Sequence, residues 1–598
     1  MKGGVTSGVV YPQAIATISE HYRFRKIGGT SAGAIGAVFA AAAEYRRQTD
    51  PQRTSRAGFA DVAKVSAFLG DNMLKLFQPS RPLRPLFNIL IAAVQANGRS
   101  RLGKGLAIGG AILRAFAIRL LLALLVAAAL VYLWVESGDA WRSLFGLGLL
   151  LLLLTGSMLW SACNWVMKRL PAHRFGICSG QTQPGHTSPA FTDWMTDEID
   201  RIAGRDTDGR PLCIGDLLDH GIEVATMTTD LSSGRPYQLP LQTKIHYFSV
   251  TEFRRLFPAR VVDHLVAQSG KYADPDFDQG GDFLALPIGR DFPVVMVARL
   301  SLSFPILIET VPLHRRDFGS GDKQALRRCL FSDGGLSSNF PIHFFDAMMP
   351  KRPTFGIALG DWSTDRHGPA SEDRILLPET ARQSTSLPVR NIAGLGGFVG
   401  AILGAAKDWQ DNLQSMLPGY ADRVVTVLLD PAKEGGLNLT MSQPTIEALG
   451  RYGSAAGDEL VARFSYANAN QQPHSISGFD QHRYARAISL LPKLHDSLHD
   501  LSVGLAARPT GGPANAMTGE EVLTLFKPSH YAGLPDKFRA HPLATFAREA
   551  AALGNTPPID HDNLPVADCR IRLQANADRL PRAATPPPPL DSVPPPQA

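Results

Sequence analysis

Between residues 101 and 180 the chain carries two long apolar runs, and they constrain its folding more than any other feature. Leu120–Val135 is sixteen residues without a charge, or twenty-one counted from Ala115 across the single Arg119. After Glu136–Arg142 comes Leu144–Cys163, twenty residues that include six consecutive leucines, Leu149–Leu154. A helix needs ~20 apolar residues to cross ~30 Å of hydrocarbon. In lipid the backbone must satisfy its own polar groups, so two such runs joined by a short polar link predict a helical hairpin in a membrane. Arg101, Lys104 and Arg114 precede the hairpin and Lys168, Arg169 and Arg174 follow it, whereas the link holds two acids and one Arg. That asymmetry places both ends, and everything attached to them, in the cytoplasm. A pair of buried core helices is the alternative, but a soluble core rarely calls for leucine on every face of a helix. Arg119 is expected to snorkel from near the end of its run.

The remainder has the composition of a folded protein. Apolar residues are 44% and charged residues 19% of 598, too little charge for wholesale disorder. A net charge of +6 is too small for a nucleic-acid binder of this length. The five cysteines, Cys163, Cys178, Cys213, Cys329 and Cys569, are scattered without a CxxC pair. Such spacing excludes a disulfide scaffold or zinc module and suits a reducing compartment. No basic-then-apolar signal peptide opens the sequence.

Strand-like and helix-like segments alternate along the chain. Arg23–Gly28, Ile222–Thr228, Pro293–Ala298, Thr354–Leu359 and Arg423–Leu429 are β-rich and bounded by Gly, Pro or Asp. Helical patterns fall at Ser31–Arg47, Thr192–Ala203, Thr251–Gln268, Val399–Met416, Pro444–Phe464 and His482–Leu505. The alternation predicts an α/β fold with a mostly parallel central sheet. Residues 1–100 and 181–470 form the two parts of one domain interrupted by the hairpin at 101–180. A C-terminal helical region follows at 471–582, then a Pro-rich tail from Ala583.

The chemistry lies near the start. Gly29-Thr30-Ser31-Ala32-Gly33 is G-x-S-x-G placed where a strand gives way to a helix. A sharp strand-to-helix turn exposes the Ser hydroxyl, and the small neighbours let the turn close. The helix N-terminus beyond it offers N–H groups to a developing oxyanion. Upstream, Lys2-Gly3-Gly4-Val5-Thr6-Ser7-Gly8 is a glycine loop whose amides can turn inward as an anion cradle. No His sits in an obvious glycine-flanked catalytic turn, but Asp333 does, in Ser332-Asp333-Gly334-Gly335. A carboxylate held by two glycines at a strand end is suited to act as the base for Ser31.

These motifs, in this order, resemble the patatin-like phospholipases, specifically long, membrane-anchored bacterial forms. Thr228-Thr229-Asp230-Leu231, the Ala298–Pro305 stretch and Asn339-Phe340-Pro341 extend the likeness. It covers residues 1–50 and 180–360, with an extension to about 465 that includes Glu434–Leu439. The resemblance implies a three-layer α/β/α sandwich and lipid acyl hydrolysis by a Ser–Asp dyad. It makes Ser31 the nucleophile, Asp333 the base, and the amides of Gly3, Gly4 and Val5 the oxyanion hole. Gly29, Gly33, Gly334 and Gly335 then support the two turns. It implies no metal and no cofactor, and its partners are a lipid substrate and the bilayer, not nucleic acid. Two departures stand out: Ser7 occupies the place of the family's basic loop residue, and the sequence begins at the loop without the strand that leads into it. A catalytically inactive membrane scaffold and an α/β-hydrolase with a His-containing triad are the rival readings.

Overall fold

The computed structural model describes residues 1–557 except Val5, 97–100, 138–139, 274–280, 318–324, much of 364–419, 465–477, 526–539 and a few single positions. The expected helix at Val399–Met416 and the Pro-rich tail therefore lie largely or wholly outside the described residues.

The first part comprises α1 (Tyr11–His21), β1 (Lys26–Gly29), α2 (Ala32–Thr49), α3 (Ala57–Leu76) and α4 (Arg84–Gln95). Ala37 and Ala40–Ala43 dominate the middle of α2, and their small side chains are buried because sheet and helices close on it from several sides. On α3, Phe59, Val62, Val65, Ser66, Met73 and Leu76 recur at helical spacing and form its buried face.

Next come α5 (Arg101–Ala115), α6 (Ala117–Ser137), α7 (Ala140–Asn164) and the short α8 (Leu170–Ala172). α6 and α7 pack on each other, yet Leu121, Leu124, Leu125, Leu151, Leu152 and Leu153 are all exposed. A buried core pair would hide them. One helical run, Leu144–Ala172, is long and apolar enough to cross a membrane. Leu102–Ala115 and Ala117–Leu133 qualify only together, and they are bent by 78° at their junction. Arg119 does not snorkel along its own helix as expected. Its guanidinium crosses to α7, donating to Ser157 O at 2.9 Å and to Ser161 Oγ. A partner within reach on the adjoining helix satisfies the charge at lower cost than hydrocarbon does.

The second part runs β2 (Gly176–Cys178), α9 (Phe191–Ile202), α10 (Ile214–Asp219), β3 (Glu223–Asp230), β4 (Arg235–Leu239), β5 (His246–Ser249), α11 (Val250–Phe253), α12 (Ala259–Ser269), β6 (Phe283–Ala285) and α13 (Val294–Ser301). It continues through β7 (Ile306–Ile308), β8 (Val311–Arg316), β9 (Leu326–Asp333), β10 (Gly356–Asp361), β11 (Ile375–Leu376), β12 (Val424–Leu429) and α14 (Gln443–Phe464). The C-terminal region is helical as expected: α15 (Gly478–Ala506), α16 (Gly519–Leu525) and α17 (Ala540–Gly554).

The fold is mixed α/β, but its main sheet is not mostly parallel. Its order is β1-β3-β9-β8-β5-β6, with β4 also paired to β3. Only β1–β3 in that sheet is parallel; the β3–β4, β3–β9, β8–β9, β5–β8 and β5–β6 ladders are antiparallel. Short links account for two of these ladders, β3–β4 and β8–β9. A parallel crossover takes a dozen or more residues, whereas β3 reaches β4 through 231–234 and β8 reaches β9 through 317–325. Parallel pairing recurs in the smaller sheets, at β10–β12 and β2–β7.

Two expectations of local structure are corrected. Pro293–Ala298 is not a strand. Pro293 leads into α13, whose residues Val294–Ser301 are all buried, so a β-branched run is helical because it sits in the middle of the core. The helix expected over Thr251–Gln268 is divided into α11 and α12 just before Ala259, because Pro258 has no N–H to give and restricts the residue before it.

Candidate functional site

β1 ends at Gly29, and the chain turns through Thr30 and Ser31 into α2. Ser31 has φ 56° and ψ −125°, a conformation costing ~1–3 kcal/mol in a residue with a Cβ. Several hydrogen bonds hold it. Ser31 N–H donates to Ser301 Oγ at 3.1 Å. On either side, Thr30 N–H donates to Met1 O at 3.3 Å and Ala32 N–H to Gly4 O at 3.1 Å. The flanking glycines are required by close backbone approach: a Cβ on Gly29 would lie 2.3 Å from Gly33 O, and one on Gly33 would lie 2.4 Å from Met1 O.

Asp333 ends β9 opposite Thr228 of β3. Its N–H donates to Ser303 O at 3.1 Å, its carbonyl accepts from Thr229 Oγ1 at 3.0 Å, and Oδ1 accepts from Gly335 N–H at 2.7 Å. The turn after it sits against the turn that carries Ser31, since a Cβ on Gly334 would be 2.9 Å from Thr30 Cγ2 and 2.0 Å from Met227 O. Ser31, Asp333, Gly29, Gly33, Gly334 and Gly335 thus gather at one place. Ser301, the last residue of α13, and Ser303, two residues beyond it, bind the two halves: Ser301 receives Ser31, and Ser303 receives Asp333.

The glycine loop is only partly as expected. Gly3 N–H donates to Asn339 O at 2.7 Å. That corrects its assignment as an oxyanion donor, because the proton is already committed. Gly4 N–H donates to no described residue, and Val5 lies outside the described residues. Ser7 is buried, and a Cβ on Gly4 would lie 2.2 Å from its Oγ.

Several supporting residues carried no role in the sequence reading. Asn339 Oδ1 would be 2.1 Å from a Cβ on Gly3 and 2.9 Å from one on Gly335, so it joins the loop to the Asp333 turn. Asp411 fastens Asn339 in turn, accepting from Asn339 N–H at 2.7 Å and from the Ser338 hydroxyl at 2.9 Å. Arg299, fully buried, donates to Ser303 Oγ at 2.6 Å and to Glu309 O at 2.8 Å. Burial lowers its pKa to about 10, which leaves it charged at neutral pH. Ser301, Ser303, Arg299 and Asn339 lay within quoted motifs; Asp411 lies in a stretch with no motif at all.

An apolar cavity of about 70 Å³ opens beside Ala32 and Leu302 and runs between α1, α2, α3 and α9. Ile35, Phe39, Val65, Met73, Phe77 and Trp194 are among its walls. Elsewhere, Cys213 Sγ is 3.3 Å from His264 Nε2, but burial pushes this thiol up to about 12, so it stays protonated and is not a nucleophile. Among the described residues no group of three or more His, Cys, Asp or Glu could hold a metal ion.

Over 535 residues the chain is 35% identical to a protein of Rhizobium meliloti (strain 1021) named "RpoH suppressor", a match covering 78% of this chain and 82% of that one. No family model matches the chain, and no solved structure matches it.

Proposed function

We propose that this chain, which belongs to the family of the Rhizobium meliloti RpoH suppressor, is a lipid acyl hydrolase of the patatin-like type working at a membrane surface. The observation that carries the reading is Ser31, held at positive φ beside an apolar cavity with the Asp333 turn packed against its own. An apolar cavity next to a strained serine suits an acyl chain delivered to a nucleophile. α2 and the helices packed on it form one layer over the main sheet, in keeping with a three-layer α/β/α arrangement. The exposed leucines of α6 and α7 favour a two-helix hairpin in the bilayer, with the bend before α6 marking the surface.

In this reading Asp333 takes the proton of Ser31, and Oγ attacks the ester carbonyl. The Gly4 amide donates to the oxyanion, and the partial positive charge at the N-terminus of α2 favours it through space, the first N–H groups of that helix being already bonded. The tetrahedral adduct collapses, and Asp333 returns the proton to the departing alcohol. Water activated by the same carboxylate then releases the fatty acid. Phospholipids and lysophospholipids are the substrate class, because the hairpin holds the site where such esters concentrate.

A fluorophosphonate probe and a lipid panel test this directly. Wild type should label and hydrolyse, Ser31→Ala should do neither, and Asp333→Asn should lose roughly 10²–10⁴-fold in turnover. Turnover within tenfold of wild type in either variant refutes the dyad. Orientation is tested by reporters, which should read periplasmic at Gly138 and cytoplasmic at Gly180.

A further inference from the structure

At the foot of α8 the chain leaves the apolar run abruptly. Arg174 and Phe175 both take positive φ, 50° and 59°, and this double turn folds Arg174 inward until it is only 5% exposed. This left-handed pair brings the Arg174 guanidinium to a polar cavity of about 610 Å³ that Pro171 and Ala172 also line. Arg255, Arg328, Glu252, Asp282 and His314 also line it.

The groups in this cavity are incompletely used. Arg174 Nη1 is fixed by Glu309 Oε2 at 2.7 Å, but its buried Nε donates to no described residue, with Glu252 Oε1 standing 3.7 Å off. His314 is buried, and its Nδ1 has no hydrogen-bond partner among the described residues. Burial lowers the pKa of His314, so the ring is neutral and adds a donor or acceptor without charge. Glu252 Oε1 is 2.7 Å from Arg328 Nη2, while its Oε2, also buried, accepts no hydrogen bond from a described residue and has His314 Nε2 3.9 Å away. Arg255 is exposed and forms no ion pair with a described residue. Asp282 is spent on Thr251, accepting from its N–H and its hydroxyl at 2.8 Å each. The cavity therefore holds three arginines and one carboxylate, Glu252, which stands 2.7 Å from Arg328 and 3.7 Å from Arg174 and keeps one oxygen without a hydrogen bond from a described residue.

We propose that this cavity binds the headgroup of an aminophospholipid, its phosphodiester on Arg174, Arg255 and Arg328 and its ammonium on Glu252, separately from Ser31. The assignment to a lipid rests on the membrane hairpin proposed above, because Pro171 and Ala172, at the end of the Leu144–Ala172 run, line the cavity. That places it at the level of the headgroups. The site is distinct from the dyad: Arg328 precedes Asp333 by five residues on β9, roughly 17 Å at ~3.4 Å per residue. Guanidinium pairs match phosphate oxygens bidentately, and a zwitterion satisfies both signs present.

The test uses the full chain in detergent with Ser31→Ala, so that no probe is hydrolysed, and follows binding of a fluorescent phosphatidylethanolamine. Unlabelled phosphatidylethanolamine should displace it, diacylglycerol should not, and inorganic phosphate should act only at millimolar concentration. Arg255→Glu with Arg328→Glu, both at exposed positions, should weaken binding by roughly tenfold or more, and in an otherwise wild-type chain should leave hydrolysis of a soluble short-chain ester within twofold. Arg174→Gln should weaken binding too. Equal binding by the charge-reversed variant overturns the proposal, as does displacement by diacylglycerol or equal potency of inorganic phosphate. Failure of the hydrolase reading would appear instead as an inert wild-type enzyme with lipid binding intact.

Discussion

Ser301→Ala removes the acceptor for Ser31 N–H and touches no reacting atom. In the native site that N–H donates to Ser301 Oγ at 3.1 Å; Ser301 is fully buried and Ser31 is 3% exposed, so water has no ready access to replace the lost oxygen. An orphaned buried donor costs ~1–3 kcal/mol. Ser31 already holds ~1–3 kcal/mol of backbone strain, so the cheapest relief is for the turn to relax and carry Oγ away from its attacking position. If the whole penalty falls on the active geometry, turnover drops by roughly 5- to 150-fold at ~1.4 kcal/mol per decade. Ser303→Ala provides the contrast. Asp333 N–H is held by the Ser303 backbone carbonyl, which that variant keeps, while Arg299 loses its side-chain partner. Its effect should fall more on thermal stability than on turnover. The assay is kcat/KM on a soluble p-nitrophenyl ester, with the melting temperature measured in the same detergent. Turnover within twofold of wild type for Ser301→Ala refutes the argument that this hydrogen bond holds the serine.

Other consequences are equally direct. Gly4→Ala should cut turnover strongly, since its Cβ would meet Ser7 Oγ at 2.2 Å; Gly4→Ala with Ser7→Ala should recover most of it, and lack of recovery in kinetic assays would remove the steric explanation. Val65→Phe should fill the apolar cavity and shift preference toward short acyl chains, read as at least a tenfold fall in the long-to-short ratio of kcat/KM. His246 is buried between Tyr237 and Phe331, and burial lowers its pKa from 6.5 to about 3. The unfolded chain therefore binds this proton first, so the stabilisation is complete above pH 6.5 and declines by up to ~1.4 kcal/mol per unit as pH falls toward 3. His246→Phe should flatten the dependence of melting temperature on pH in that window; an unchanged slope would contradict it.

The parts of the fold legible in the sequence are those governed by local rules. α2, β3, β10, β12, α9 and α14 lie close to their expected positions because periodicity and bounding Gly, Pro or Asp act within one element. Strand direction escaped because it depends on which strands meet, and the short links after β3 and β8 gave the only hint. α13 escaped because its valines suit a strand in isolation and only burial on every side makes them helical. At the site, the glycine pattern and Asp333 were visible as motifs. The loss of Gly3 to Asn339 was not, since it arises from contact between segments more than three hundred residues apart. Asp411 is the extreme case: its two hydrogen bonds come from a region without any signature.

The attachment of Ser31 and Asp333 to Ser301 and Ser303 has a mechanical consequence. Both halves hang from points two residues apart, the last residue of α13 and Ser303 just beyond it, so a shift of that segment against the sheet displaces them together and their separation barely changes. Motions shared by both halves cancel, and only a distortion within the three residues from Ser301 to Ser303 registers as a difference. A displacement of the surrounding helices is in this way kept from changing the alignment of the pair.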